Sequence, residues 1–283
     1  MRICFVGGGN MATALISGLL KKGRSAADIR VVEIDAAARE RLERDLHVSA
    51  YADLAPGAAG ADCIVLAVKP QHMREVANAL APHSADALVL SIAAGIRHTD
   101  LARWLGGHAR LVRAMPNTPA LALAGMTGLY APPGVSGEDR AHAEIVLGAA
   151  GKTLWVESEA QMDGVTAVSG SGPAYVFYFI EALEDAASAL GFDAEASRAL
   201  ALKTFAGAVK LAAESSESVA TLRARVTSKG GTTERAVQAL DKAHVHGAIV
   251  AAVRAAAERS RELGEALGGD TGGTRAGGGR SGA

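Results

Sequence analysis

Cysteine is scarce. Of 283 residues only Cys4 and Cys63 carry a thiol, and both fall inside apolar runs, RICFV and DCIVLAV, that read as strands. Thiols placed as small hydrophobes exclude a disulfide framework and fit a reducing compartment. Neither has a basic residue directly beside it to make it a reactive thiolate. Charge of one sign is missing too: 29 basic and 30 acidic residues are dispersed rather than blocked. That removes the electrostatic case for nucleic acid or membrane surfaces and leaves small molecules as the expected partners. Apolar runs of membrane length are broken by charge, as Glu181, Glu184 and Asp185 break the run after Tyr175. The opening MRICFVGGGNMATALISGLL looks superficially like a secretory signal, but three glycines interrupt its apolar core and no clean cleavage site follows. A cytoplasmic protein is expected. Clustered metal ligands are also lacking: His244 and His246, two apart on a helix, turn to different faces, so no metal site is expected.

What is present is an apolar fraction of 49%, enough for a buried core in one large or two ordinary domains. From residue 2 to about 115, short β-branched runs (RICFV, IRVVEI, DCIVLAV, ALVLSI, RLVRAM) alternate with amphipathic helical stretches. Apolar strands without clean alternation, separated by helices, predict an α/β fold: a doubly wound, Rossmann-type sheet covered on both faces. Between 116 and 160 turn residues, a helix over 138–149 and a short strand around TLWVE close this domain, placed at 1–160. Beyond it the pattern is helical only, over 173–190, 194–213, 219–226, 233–240 and 245–267, which predicts an all-α domain at 161–267. The glycine-rich end, 268–283, has almost nothing to bury and reads as a flexible tail.

Gly7, Gly8, Gly9, Asn10, Met11 and Ala12 follow the first strand, ending at Val6, and open a helix. That is the setting in which G-x-G-x-x-G/A binds a dinucleotide. Gly7 makes the turn, Gly9 lets a pyrophosphate approach, Ala12 lets helix and strand pack, and the helix N-terminus faces the diphosphate. Glu33, at the end of the second strand and roughly 20 residues on, is placed to hydrogen-bond an adenosine ribose hydroxyl and to repel a 2′-phosphate. Asp35 adds to that repulsion and Arg39 lies a turn further on. The cofactor is thus NADH or NADPH, with NADH favoured; in the alternative, Glu33 points to solvent and Asp35 only caps the next helix. At the ends of two further parallel strands stand Ala67, Val68, Lys69 and Pro70, and Ala93, Ala94 and Gly95. Both stretches suit backbone contact with a flat ring, and both suit ordinary loop punctuation.

A second loop, TSKGGTTERA at 227–236, lies far from the first. Gly230 and Gly231 can expose consecutive N–H groups at the start of a helix, with the hydroxyls of Ser228, Thr232 and Thr233 nearby. Such a loop can hold a carboxylate, helped by the helix dipole, or can be merely a capped helix start.

GGGNMATAL, AVKP, SIAAG, RAMPNTPA, AGMTGLY, VSGSGPAYVFYFIEAL and SKGGTTERAVQAL, in this order and spacing, resemble pyrroline-5-carboxylate reductases from about residue 2 to 265. The resemblance implies a Rossmann domain followed by a helical dimerisation domain, dimers through the C-terminal helices and larger assemblies such as a decamer. It also implies hydride transfer from NADPH or NADH to the C=N carbon of Δ1-pyrroline-5-carboxylate, giving L-proline. On that basis Ser228, Gly230, Gly231 and Thr232 hold the substrate carboxylate, and Thr233 is the catalytic residue at the ring nitrogen.

The chain departs from the family pattern where Lys229 replaces a common proline and Glu234 a common apolar residue, and in the acidic end of its second strand. Lys229 could aid carboxylate capture, and Glu234 is expected to face solvent. Two other readings compete. A β-hydroxyacid dehydrogenase-like oxidoreductase needs a lysine on the helix after the linker, and 164–182 contains none. A non-catalytic dinucleotide sensor would have no use for the GGTT loop.

Overall fold

The computed structural model describes residues 1–84 and 86–269. The expected tail at 268–283 therefore lies almost wholly outside the described residues. Eight strands form one sheet: β1 (Ile3–Val6), β2 (Ile29–Val32), β3 (Ser49–Tyr51), β4 (Cys63–Leu66), β5 (Leu88–Ser91), β6 (Leu111–Met115), β7 (Gly125–Tyr130) and β8 (Gly151–Trp155). Their spatial order is β3-β2-β1-β4-β5-β6-β7-β8, all parallel except the β6/β7 pair. Helices α1 (Asn10–Lys21), α2 (Ala36–Leu46), α3 (Leu54–Ala58), α4 (Met73–Leu80), α5 (His98–Trp104) and α6 (Gly137–Leu147) supply the crossovers, and α7 (Gln161–Val165) follows β8.

Strand side chains alternate between two faces, and both faces are buried. Ile3 and Phe5 join Leu15, Ile16, Leu88 and Leu90 in one core. Cys4 and Val6 join Ile64, Leu66, Met73 and Leu80 in the other. Cys63 packs in the first core and Cys4 in the second, so the thiols point to opposite sides of the sheet. Both are free. Burial pushes the Cys4 thiol up to about 12 and raises that of Cys63 as well, which makes them inert hydrophobes.

Two strands were not expected from the sequence. β3 is three half-exposed residues at the sheet edge. β7 carries Gly125 and Gly128, which dilute its β-branched signal; a Cβ at Gly128 would come 2.5 Å from Val165 Cγ1, so α7 requires that glycine.

The described residues fall into two compact units, Met1–Thr166 together with residues 258–269, and Ala167–Ala257. A single π-helical turn, Thr166–Gly170, marks the change from one to the other. The second unit is helical throughout: α8 (Gly172–Ala189), α9 (Ala194–Glu214), α10 (Val219–Arg225), α11 (Thr232–Lys242) and α12 (Val245–Gly268), whose last turns belong to the first unit. Asp193 and Ser218 cap α9 and α10 by accepting from Ala196 N (2.8 Å) and Thr221 N (3.1 Å). Within residues 167–257 only Ala167, Ser197 and Ala201 are buried. No helix among the described residues is long and apolar enough to cross a membrane.

Candidate active site

In the first unit the glycine loop leaves β1 at the point where strand order reverses between β1 and β4, the crevice in which open α/β sheets bind ligands. Val6 O accepts from Ala67 N and Gly7 N donates to Val32 O, each at 2.8 Å, so the loop root is pinned to both neighbouring strands. Gly7 has φ +101°, and a Cβ there would lie 2.9 Å from the Ala67 carbonyl; only glycine fits. Around Gly9 no atom lies within 4 Å of where a Cβ would stand. Its bareness is therefore not a packing need, which agrees with backbone kept open for a diphosphate. Gly9 precedes α1, whose first intrahelical bond runs from Thr13 N to Gly9 O at 2.9 Å. The N–H groups of the first turn are left for an anion. Ala12 is fully buried beneath the loop. The three positions do what a dinucleotide fingerprint requires, so the residues present fit a nicotinamide dinucleotide.

Glu33 lies just past β2 and is half-buried rather than turned to solvent. Its Oε2 accepts from Gly8 N (2.8 Å) and its Oε1 from Asp35 N (3.0 Å). Asp35 meanwhile caps α2 by accepting from Ala38 N at 2.7 Å. Arg39 donates through Nη1 to the carbonyls of Glu33 (2.7 Å) and Ile34 (2.9 Å). A carboxylate and a guanidinium thus both sit at the end of β2.

Ala67, Val68 and Lys69 run from β4 into a short 3₁₀ turn begun by Pro70, closed by His72 N to Lys69 O at 3.0 Å. Ala93 is buried, and Gly95, at φ +71°, packs against Leu263 and Leu267 of α12, 3.3 to 3.4 Å from a would-be Cβ. The helix, rather than a ring, accounts for the smallness of Gly95. All three loops leave the carboxyl edge of the sheet.

Several polar groups on this unit were not singled out from the sequence. Arg113, in β6, is 5% exposed and pairs with Glu159 at 2.9 Å; Glu159 also accepts the His98 N–H that opens α5. The signal was present, since an arginine inside the apolar run RLVRAM demands a buried partner. Asn117 Oδ1 accepts from Met126 N at 2.9 Å, holding the PNTP turn against β7. Ser260 donates to Asp163 Oδ1 at 2.7 Å and Arg103 to Gly268 O at 3.0 Å, which fixes the last turns of α12 to this unit.

In the second unit residues 226–231 connect α10 to α11. Thr227 Oγ1 donates to Arg223 O at 2.7 Å, ending α10. Gly230 adopts φ +74°, Gly231 N donates to Ser228 O at 3.0 Å, and Gly231 caps α11 with extended dihedral angles. The first intrahelical bond is Arg235 N to Gly231 O at 3.2 Å, so the N–H groups of Thr232, Thr233 and Glu234 precede it. Ser228, Gly230 and Thr232 are exposed and Thr233 is half-buried. The structure corrects one expectation: Glu234 does not simply face solvent. It is half-buried, and its Oε2 accepts from Gly230 N at 2.7 Å. A glutamate in the first turn of a helix gains by satisfying an orphan donor behind it.

Comparison with known proteins places this geometry among relatives. A family model described as pyrroline-5-carboxylate reductase dimerisation matches residues 159–263, and one described as NADP oxidoreductase, coenzyme F420-dependent, matches residues 2–95. The pyrroline-5-carboxylate reductase of Pseudomonas aeruginosa is 44% identical over 94% of this chain and 98% of its own length. That of Haemophilus influenzae is 42% identical over 92% and 97%. Among solved structures, a pyrroline-5-carboxylate reductase from Coxiella burnetii superposes with a TM-score of 0.88 at 39% identity, covering 93% of this chain and 98% of that one. The Plasmodium falciparum pyrroline carboxylate reductase with NADP bound superposes with a TM-score of 0.84 at 29% identity and the same coverage.

Proposed function

The chain belongs to the pyrroline-5-carboxylate reductase family, and we infer that it reduces Δ1-pyrroline-5-carboxylate to L-proline, the last step of proline synthesis, using a reduced nicotinamide cofactor. The observation that carries the reading is the coexistence in one chain of two glycine loops that each open a helix, at 7–12 and 228–233. A cofactor diphosphate and a substrate carboxylate are two anions, and the reaction needs both. A dinucleotide sensor or a β-hydroxyacid dehydrogenase-like enzyme leaves the second loop unexplained.

A reduced nicotinamide bound here would supply the hydride. The protein's own residues bind, orient and exclude water, which is most of what a protonated imine carbon requires. Val6 to Ala12 seat the diphosphate. The stretches Ala67 to Pro70 and Ala93 to Gly95 line the ring end. Ser228 and the backbone of Gly230 and Thr232 hold the substrate carboxylate, Gly231 shapes the turn with its N–H on Ser228 O at 3.0 Å, and Thr233 places its hydroxyl at the ring nitrogen. There it stabilises the nitrogen as hydride reaches the carbon and the N–H bond is retained in the product amine.

The finer cofactor reading is NADH in preference to NADPH. It is supported by Glu33, whose carboxylate is held at the loop with lone pairs left for a ribose hydroxyl. The same family reading gives a homodimer through the C-terminal helices. Its support is the exposure of Phe177, Tyr178, Val209 and Leu211, between 64% and 70% each, on helices that bury almost nothing in their own chain. A biosynthetic enzyme with these features belongs in the cytoplasm. Initial rates of NADH and NADPH oxidation, measured side by side on addition of the imine, test the reading. Oxidation yielding L-proline supports it, and no oxidation with either cofactor overturns it.

A further inference from the structure

The second anion loop already seats a carboxylate, and it belongs to the protein. In an ordinary capping box the glutamate at the third helical position returns to the N–H of the cap residue. Here the cap is Gly231, whose N–H is taken by Ser228 O at 3.0 Å. Glu234 therefore reaches one residue further back, to Gly230 N, at 2.7 Å. Gly230 itself adopts a left-handed turn, φ +74°. A distance of 2.7 Å is that of a charge-assisted bond, about twice as strong as a neutral one.

We propose that Glu234 sets the affinity for the substrate, as an internal carboxylate that competes with the substrate's own carboxylate for the 228–233 loop. The proposal rests on the reading that this loop holds the substrate carboxylate. Two carboxylates drawn to the Gly230 amide within one helical turn repel, so an incoming substrate must turn Glu234 out. Half-buried, at the surface of its helix, Glu234 has solvent to turn into. Lys229, exposed beside Gly230, offsets the negative charge while the exchange takes place. The consequence is a weakened hold on the substrate. A cyclic imine that brings a carboxylate replaces Glu234 at the loop amides and reaches Thr233 with its nitrogen.

Kinetics of Glu234→Gln test this, because glutamine keeps an acceptor for Gly230 N while removing the charge. The expected result is a three- to tenfold fall, an order-of-magnitude figure, in KM for pyrroline-5-carboxylate, with the gain in KM rather than kcat. The inhibition constant of L-proline, which carries the same carboxylate, falls by the same factor, and KM for the cofactor does not move. Glu234→Ala, which removes the acceptor altogether, shifts both constants in the same direction even where it lowers the melting temperature. Unchanged or raised KM and inhibition constants in both variants, with only the melting temperature reduced, overturn the proposal and leave Glu234 as a helix cap. Failure of the reductase reading is a separate result: the unsubstituted protein then oxidises neither NADH nor NADPH when the imine is added.

Discussion

The carboxylate of Glu33 accepts the backbone N–H of Gly8 at 2.8 Å, tying the end of β2 to the dinucleotide loop. Under the proposed cofactor reading, cofactor choice and loop shape depend on one side chain. Glu33→Gln keeps an acceptor for Gly8 but removes the charge proposed to face the ribose. The NADH to NADPH ratio of kcat/KM is expected to fall by about tenfold, measured by initial rates with both cofactors. An unchanged ratio would separate Glu33 from the ribose and leave it as a brace for the loop.

Gly7→Ala puts a Cβ 2.9 Å from the Ala67 carbonyl at φ +101°. Strain of about 1 to 3 kcal/mol is expected, with a lower melting temperature and weakened cofactor binding in a fluorescence titration. Gly9→Ala, where space is open, should leave the melting temperature unchanged and weaken cofactor binding alone. The contrast between the two tells packing from ligand approach.

Thr233→Ala removes one hydroxyl from the proposed ring-nitrogen contact. Turnover should drop roughly ten- to a hundredfold while KM for the cofactor stays the same. Turnover within twofold of the parent would take Thr233 out of the mechanism.

Glu159→Gln leaves the Arg113 guanidinium, 5% exposed, without its anion. Chemical denaturation should show a loss of about 3 kcal/mol, because a buried charge is left uncompensated. Arg113→Met combined with Glu159→Gln should recover part of that loss. If the double variant is no better than the single one, the pair is not what stabilises this edge of the sheet.

Stability should fall on the acid side. Burial holds His98 below its usual imidazole range against the opposing pull of Glu159, and burial likewise lowers His108. A histidine whose folded value is depressed binds its proton more readily when unfolded. Its contribution is therefore complete above the unfolded value, near 6.5, and is lost as pH falls below it. Asp139, lowered chiefly by its hydrogen bonds with Arg110, adds a second loss below its ordinary value of 3.8. The melting temperature should be flat from pH 8 to about 7 and decline from about 6.5 downward. In His98→Phe combined with His108→Gln, the part of the decline between about 6.5 and 5 should flatten. An unaltered slope would assign the decline to other groups.

The glycine loop was legible because each of its demands is local: the turn at Gly7, the open backbone at Gly9 and the packed Ala12 each need a residue type at a fixed offset from a strand end. The five helices after 170 were legible for a similar reason, since their periodicity is a local property of each stretch. Side-chain direction was not. Whether Glu33 turns to Gly8 or Glu234 to Gly230 depends on which N–H has no other acceptor, and that is settled by the folded loop. β7 stayed hidden because Gly128 serves contact with Val165 rather than strand propensity. Arg113 announced a need, but its partner stands 46 residues away, beyond the reach of any local pattern.

Three buried side chains, Ala167, Ser197 and Ala201, are too few to hold residues 167–257 together from within. Under the proposed pairing, order in this part of the chain is shared property: two copies fold one structure between them. Dilution then acts as a denaturant, and the melting temperature rises with protein concentration. In a cell carrying two alleles, a chain whose helices mispack would disable the sound copy it pairs with, so the loss of activity would exceed the fraction of defective protein made.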